Sequence, residues 1–173
     1  LEQLSLSARL RGMEGQGEMD ELLTGVAGQE VELSLAATGN PDRVDVNSLS
    51  LVTDAGSVTG QAAVLLSEGV AWDGRVLVEG LDPGVFVPDL PGDLNGSVTS
   101  SGSLAQEELE LQARWDLEGT LRAQPLQLSG SMAKQEATWQ LSDLLLRQGR
   151  NRLTANGSIS DEIEAQLDIS MPT

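Results

Sequence analysis

The sequence predicts an all-β protein built as an antiparallel meander. Apolar and polar residues alternate through run after run, so each run has one apolar and one polar face. Turn-forming residues separate the runs at roughly 8–12 residues, the rhythm of all-β chains. Most of the intervening connections are short enough for hairpins, which join antiparallel neighbours.

The runs follow in chain order. Leu4, Leu6, Ala8 and Leu10 form the first. Val31, Leu33 and Leu35 form the next, closed by Gly39-Asn40-Pro41-Asp42. Val44 and Val46 are followed by Leu49 and Leu51, and then by the turn signal Asp54-Ala55-Gly56. Ser67-Glu68-Gly69, Asp73-Gly74 and Glu118-Gly119 are read as further turns, with Leu109, Leu111, Ala113, Trp115 and Leu117 as a strand between them. Ala137, Trp139 and Leu141 precede Gln148-Gly149 and Ser160-Asp161. Ile163, Ala165, Leu167, Ile169 and Met171 end the series. Gly and Asn tolerate positive φ and Pro presets φ, so such sites reverse the chain at little cost.

Two segments depart from alternation. Met19, Leu22, Leu23 and Val26 fall at helical spacing, and Glu18, Asp20 and Glu21 suit a helix N-terminus. One short helix over 18–27 is expected, with an acidic loop as the alternative. Residues 81–93 carry Pro83, Pro88 and Pro91, which remove three backbone donors and exclude a central strand. This stretch is expected to be an irregular strap. A weak internal repeat links Leu94-Asn95-Gly96-Ser97-Val98 with Thr154-Ala155-Asn156-Gly157-Ser158-Ile159 and Leu128-Ser129-Gly130-Ser131-Met132. Duplication of a strand unit and ordinary strand grammar explain it equally well.

Composition excludes several chemistries. The 173 residues contain no Cys, His or Tyr, one Phe and three Trp, with 27 acidic and 10 basic groups and a net charge of -17. Without Cys there is no disulfide or thiolate, and without His there is no Ser-His-Asp triad or imidazole ligand. The negative charge repels phosphate backbones, so no nucleic-acid partner is expected. It also disfavours docking on an anionic leaflet through basic residues. No run reaches the roughly 18 apolar residues a spanning helix needs. The chain opens at Leu1 with no signal peptide, and is expected to be a segment of a longer protein.

No catalytic constellation emerges, so no enzyme and no cofactor are expected. The many carboxylates read as a solvated surface rather than a glycosidase pair, which would need a sugar-binding cleft and usually aromatic platforms. Asp89-Leu90-Pro91-Gly92-Asp93-Leu94-Asn95-Gly96 lacks the pattern of a calcium loop and reads as a Pro-Gly turn. Asn95-Gly96-Ser97 and Asn156-Gly157-Ser158 match glycosylation sequons and are read as turns. Periodicity leaves two architectures open. One is a sandwich that buries its aliphatic faces in a closed core. The other is a single curled sheet with an open apolar trough suited to acyl chains.

Several stretches together resemble the TamB family, large AsmA-like proteins of the Gram-negative envelope, and in particular its C-terminal region. They are Val70-Ala71-Trp72-Asp73-Gly74-Arg75-Val76, Gly80-Leu81-Asp82-Pro83-Gly84, and Val87 through Gly96 with its Pro-rich strap. Gly119 through Gly130 and Leu144 through Gly157 are similar to later hairpin units of that family. The individual motifs are low in specificity; their order and spacing carry the resemblance, which covers nearly the whole chain.

The resemblance implies a long, strongly curved, mostly antiparallel sheet, a half-pipe or β-taco with an open groove, occupying residues 1–173 as one domain of a much larger chain. It implies a periplasmic protein tethered to the inner membrane, phospholipid acyl chains as cargo, and a TamA-like outer-membrane partner of the full-length protein. It further implies a part in assembly of autotransporters and other outer-membrane proteins. On this reading the groove is lined by Leu33, Leu35, Val46, Leu49, Leu51, Val64, Val76, Val78, Leu111, Ala113, Trp115, Trp139, Leu141, Ile163, Leu167 and Ile169. A one-residue slip in register would turn any of them outward. The alternatives are a scaffold that pairs its sheet edges with nascent outer-membrane proteins, and a purely structural closed β-domain.

Overall fold

The computed structural model describes residues 4–11, 31–67, 69–85, 87–106 and 108–172. The helical spacing at 18–27 lies outside them. The described residues form one antiparallel sheet whose spatial order is the order of the sequence. Its strands are β1 (Leu4–Arg11), β2 (Val31–Asn40), β3 (Arg43–Thr53), β4 (Gly56–Leu65), β5 (Val70–Leu81) and β6 (Gly92–Ala105). They continue with β7 (Glu108–Leu121), β8 (Gln124–Gln135), β9 (Thr138–Gln148), β10 (Asn151–Ile159) and β11 (Ile163–Ser170). The sheet is open: β1 and β11 are its two edges, and it forms a half-pipe rather than a closed barrel.

Sequence-local hairpins build it. Asn40 opens the β2–β3 turn, its side-chain oxygen accepting hydrogen bonds from the N–H groups of Asp42 and Arg43, both at 2.9 Å. The β7–β8 turn places Arg122 and Ala123 at φ 52° and 58°, without a glycine. Two expected turns lie inside strands instead. Asp73-Gly74 is in the middle of β5, and Glu118-Gly119 is within β7. Gly119 is there for close approach, at φ 147°, because a Cβ would run into the carbonyl of Asp93 on β6.

The two Asn-Gly-Ser sequences also belong to strands, β6 and β10, rather than turns. Each Asn serves a bulge on the preceding strand. Asn95 accepts a hydrogen bond from Gly80 N at 2.9 Å, where β5 carries an extra residue between Val78 and Leu81. Asn156 accepts one from Asp143 N at 2.7 Å, where β9 bulges. Gly80 and Asp143 both have positive φ, 62° and 53°. The third repeat, Leu128-Ser129-Gly130-Ser131-Met132, has Ser in place of Asn and follows a strand that pairs with it in unbroken register.

The Pro-rich connection runs from Asp82 to Pro91, since Leu81 ends β5 and Gly92 starts β6. It contains a single 3-10 turn, Pro83–Val85, and spans one end of the sheet. Asp82 pins both of its ends: one carboxylate oxygen accepts from Gly84 N and Gly92 N, each at 2.8 Å. Arg122 in the β7–β8 turn donates its backbone N–H to Pro91 O and its Nε to Asp89 O, both at 2.7 Å. Ala55 lies against the strap and gives its carbonyl to Asp82 N at 2.7 Å.

There is no second layer among the described residues. Only Ala55 and Leu126 are buried apolar residues there, at 6 % and 8 % exposure. The sheet is held by its hydrogen-bond ladder and by half-buried side chains rather than by a packed core. Among the described residues no helix is long and apolar enough to cross a membrane.

Candidate functional site: the apolar face of the sheet

Residues directly paired across an antiparallel ladder project to the same side. The register therefore fixes the face of every strand position. In the central strands, Leu111, Ala113, Trp115 and Leu117 of β7 pair with Gly102, Ser100, Val98 and Gly96 of β6. Those pair in turn with Trp72, Gly74, Val76 and Val78 of β5. Val64 opposes Trp72, and Val44 opposes Val64. Leu49 and Leu51 of β3 oppose Leu35 and Leu33 of β2, and Val46 opposes Ala37. In the other direction Met132 of β8 joins Ala113 to Leu141, and Lys134 joins Leu111 to Trp139. Trp139 opposes Ile159, which opposes Ile163, while Leu167 and Ile169 oppose Ala155 and Leu153.

Every predicted lining residue thus falls on one face. Leu33, Leu35, Val46, Leu49, Leu51, Val64, Val76, Val78, Leu111, Ala113, Trp115, Trp139 and Leu141 are half-buried by their neighbours. Ile163, Leu167 and Ile169, on the edge strand, are 74 %, 60 % and 51 % exposed. The same face carries residues that the sequence reading did not select, among them Trp72, Val98, Leu117, Leu128 and Met132.

Bulges keep the face continuous where the sequence changes phase. In β3 the apolar positions pass from Val44 and Val46 to Leu49 and Leu51, and the register shifts between Val46 and Leu49. In β9 Trp139 and Leu141 give way to Leu144 and Leu146, with Asp143 as the extra residue. A bulge inserts one residue and so reverses which parity of the sequence faces inward.

Two of the three tryptophans on this face cover glycines. A Cβ on Gly102 would lie 2.6 Å from Cζ2 and 2.8 Å from Cη2 of Trp72, so the indole covers that glycine. The Trp72 Nε1–H donates to Ser100 Oγ at 3.1 Å. Trp115 stands in the same relation to Gly130, with Cζ2 at 2.9 Å from the Cβ position. Both rings therefore spread along the sheet and fill the gaps that glycine leaves.

In the central strands the opposite face is mostly polar, although Val52, Leu65 and Leu77 are exposed on it. Its rows run through Arg75, Thr99, Arg114, Ser131 and Ser142, and through Asp73, Ser101, Gln112, Ala133 and Gln140. A dip of about 320 Å³ is lined mainly by polar groups of these rows, among them Asp73, Thr99, Ser101, Gln112 and Arg114. Among the described residues no group of three or more His, Cys, Asp or Glu could hold a metal ion.

A family model described as TamB, N-terminal domain, matches residues 14–173. The chain belongs to the TamB family. The translocation and assembly module subunit TamB of Haemophilus influenzae is 30% identical over 143 residues, which is 82% of this chain and 11% of that protein. This TamB-family chain therefore spans about a tenth of the length of that curated relative. No solved structure matches it. The motifs had pointed to the family's C-terminal region, whereas the matching model is described as the N-terminal domain of TamB. Within this chain the Asn-Gly-Ser unit recurs, on β6 and β10, and a unit that recurs does not mark one location along a long chain.

Proposed function

We propose that this TamB-family segment is one stretch of a hydrophobic groove, residues 1–173 acting as a unit, that carries phospholipid acyl chains through the periplasm of a Gram-negative bacterium. The observation that supports it is an apolar face continuous from β2 to β11 and covered by no second layer among the described residues. Contiguous apolar surface of this extent marks a binding site rather than solvent-facing decoration.

The mechanism is desolvation without a reactive group. Each acyl methylene that leaves water for the face is stabilised by about 0.8 kcal/mol. The lining is mostly Leu, Val and Ala, and two of the indoles cover glycines, so successive sites along the trough are similar in depth. A chain then slides between them without a deep local trap. The full-length protein would be tethered to the inner membrane, with a TamA-like partner at the outer membrane. The name of the Haemophilus relative, a translocation and assembly module subunit, supports a place in envelope assembly.

A second reading has its own observation. Strand β11 is an edge without proline, and Ile163, Leu167 and Ile169 on it are exposed. Wherever the longer protein leaves it uncovered, such an edge would offer unpaired main-chain groups to a strand of a nascent outer-membrane protein. A closed structural β-domain has no second layer among the described residues to support it.

Photocrosslinking residues placed at Leu111 and Leu141, followed by mass spectrometry of the adducts in cells, separates these readings. Phospholipid adducts at both positions are expected. Adducts to outer-membrane proteins concentrated at Ile163 and Leu167 would favour strand pairing. No adduct at any position on the apolar face would overturn both.

A further inference from the structure

Lys134 is the only lysine in the chain. It sits on the apolar face, paired in register with Leu111 on one side and Trp139 on the other. No other strand position of that face in β2–β11 carries a formal charge. The arginines of these strands, Arg43, Arg75, Arg114, Arg147 and Arg152, are all on the polar face, and Arg122 and Arg150 are in turns. Among the described residues of β2–β11, the one cation of this face stands at the rim, beside the β8–β9 turn. Along the same strand, Leu126, Leu128, Gly130 and Met132 separate it from Gln124 at the opposite rim, roughly 30 Å away at about 3.3 Å per residue.

The ammonium is held in place. Its Nζ donates to Leu109 O at 3.1 Å and to Glu136 O at 2.7 Å, and it lies 5.9 Å from the Trp139 ring centroid. A lysine has three donors, so one remains after these two bonds. Among the described residues no carboxylate forms a salt bridge with it. In a chain of charge -17, a cation on the apolar face with a spare donor is out of keeping with simple solubility.

The geometry points to Lys134 as the headgroup contact of the groove: it receives the phosphodiester of a phospholipid at the rim while the acyl chains lie on the apolar face. This rests on the acyl-chain reading above and adds a requirement for anionic phosphate at one rim. The complementarity is that of a partly desolvated ammonium, already fixed by two carbonyls and an indole, for a singly charged phosphate oxygen. A neutral lipid would gain the apolar contacts and not this one.

Because the lysine is unique, biosynthetic ¹³C-lysine labelling marks a single side chain and leaves its three N–H donors intact. The labelled 173-residue chain is titrated with a soluble short-chain phosphatidylglycerol and with the diacylglycerol of the same acyl length. Binding is followed in parallel by tryptophan fluorescence. The Lys134 ¹³Cε resonance is expected to shift with phosphatidylglycerol and not with diacylglycerol, although both bind. Lys134→Gln should weaken phosphatidylglycerol binding about tenfold, leave diacylglycerol binding unchanged, and be rescued by Lys134→Arg. Equal weakening of both lipids would assign Lys134 to holding the hairpin and overturn the inference, as would no change in either. If the native chain binds neither lipid, the groove reading itself falls and this inference with it.

Discussion

The side-chain oxygen of Asn156 on β10 accepts a 2.7 Å hydrogen bond from the backbone N–H of Asp143, the residue that bulges from β9. Asn95 on β6 does the same for Gly80 on β5 at 2.9 Å. A bulged residue loses its ladder partner, and the neighbouring Asn replaces it. Each bulge also resets which residues face the trough, so these two asparagines hold the apolar face in phase.

Asn156→Ala should lower stability by about 1 kcal/mol, the usual net worth of such a bond. Asn95→Ala should cost a similar amount. The two bulges share no partner, so the double variant should show close to the sum. Thermal melts followed by far-UV circular dichroism measure this. A double variant no less stable than the native chain would mean that the bulges hold without their asparagines.

The pairing of Trp72 with Gly102 predicts intolerance at the glycine. A Cβ there would meet the indole at 2.6 Å and also the carbonyl of Glu110. Gly102→Ala should displace the ring and cost about 1–3 kcal/mol through overpacking. Gly130→Ala should do the same to Trp115. A red shift of tryptophan emission together with a lower melting temperature is the expected signature. An unchanged emission maximum would show that the ring does not rest on the glycine.

Alternation made the strands legible because a half-covered sheet writes its two faces into the sequence with period two. The register puts every selected lining residue on one face of the sheet. The bulges were harder to read. The change from Val46 to Leu49 was visible as a parity break, but nothing local marked Asp143 as an αL residue. Gly74 and Gly119 read as turns in the sequence because glycine signals chain reversal; both lie inside strands, and Gly119 lets the β6 backbone approach closely. Trp72 was missed as part of the trough because its strand had been cut at Asp73-Gly74. Lys134 was missed because a cation next to a turn reads as a solvated residue until its register is known.

The Arg43–Asp45 pair predicts a local pH response. Arg43 donates Nε to both carboxylate oxygens at 2.8 and 2.9 Å, and an Nη group to one at 2.7 Å. The hydrogen bond from Arg43, helped by its charge, holds the Asp45 carboxyl below the ordinary aspartate range. A depressed pKa in the folded state means that the contribution is present above the unfolded value and is lost as pH falls through the folded one. Both groups are solvent-facing, so the effect on global stability should be small. Carboxyl ¹³C titration should place Asp45 below the ordinary aspartate range, and Arg43→Gln should return it there. An unshifted Asp45 in the native chain would contradict the pairing.

A carboxylate placed in the trough distinguishes an open face from a core. Leu141 pairs with Met132 and Gly157 on the apolar face, and it is only half-buried. In a closed core, Leu141→Asp would strand an unpaired charge away from water and unfold the domain. On an open face the new carboxylate keeps part of its hydration, so the loss should be limited to about 1–2 kcal/mol from the missing aliphatic contacts. The expected outcome is a retained β-sheet circular dichroism spectrum, a moderately lower melting temperature, and a marked loss of short-chain lipid binding. Gln140→Asp, one residue away on the polar face, should leave both properties unchanged. Complete unfolding of Leu141→Asp beside a native Gln140→Asp would show that the face is covered.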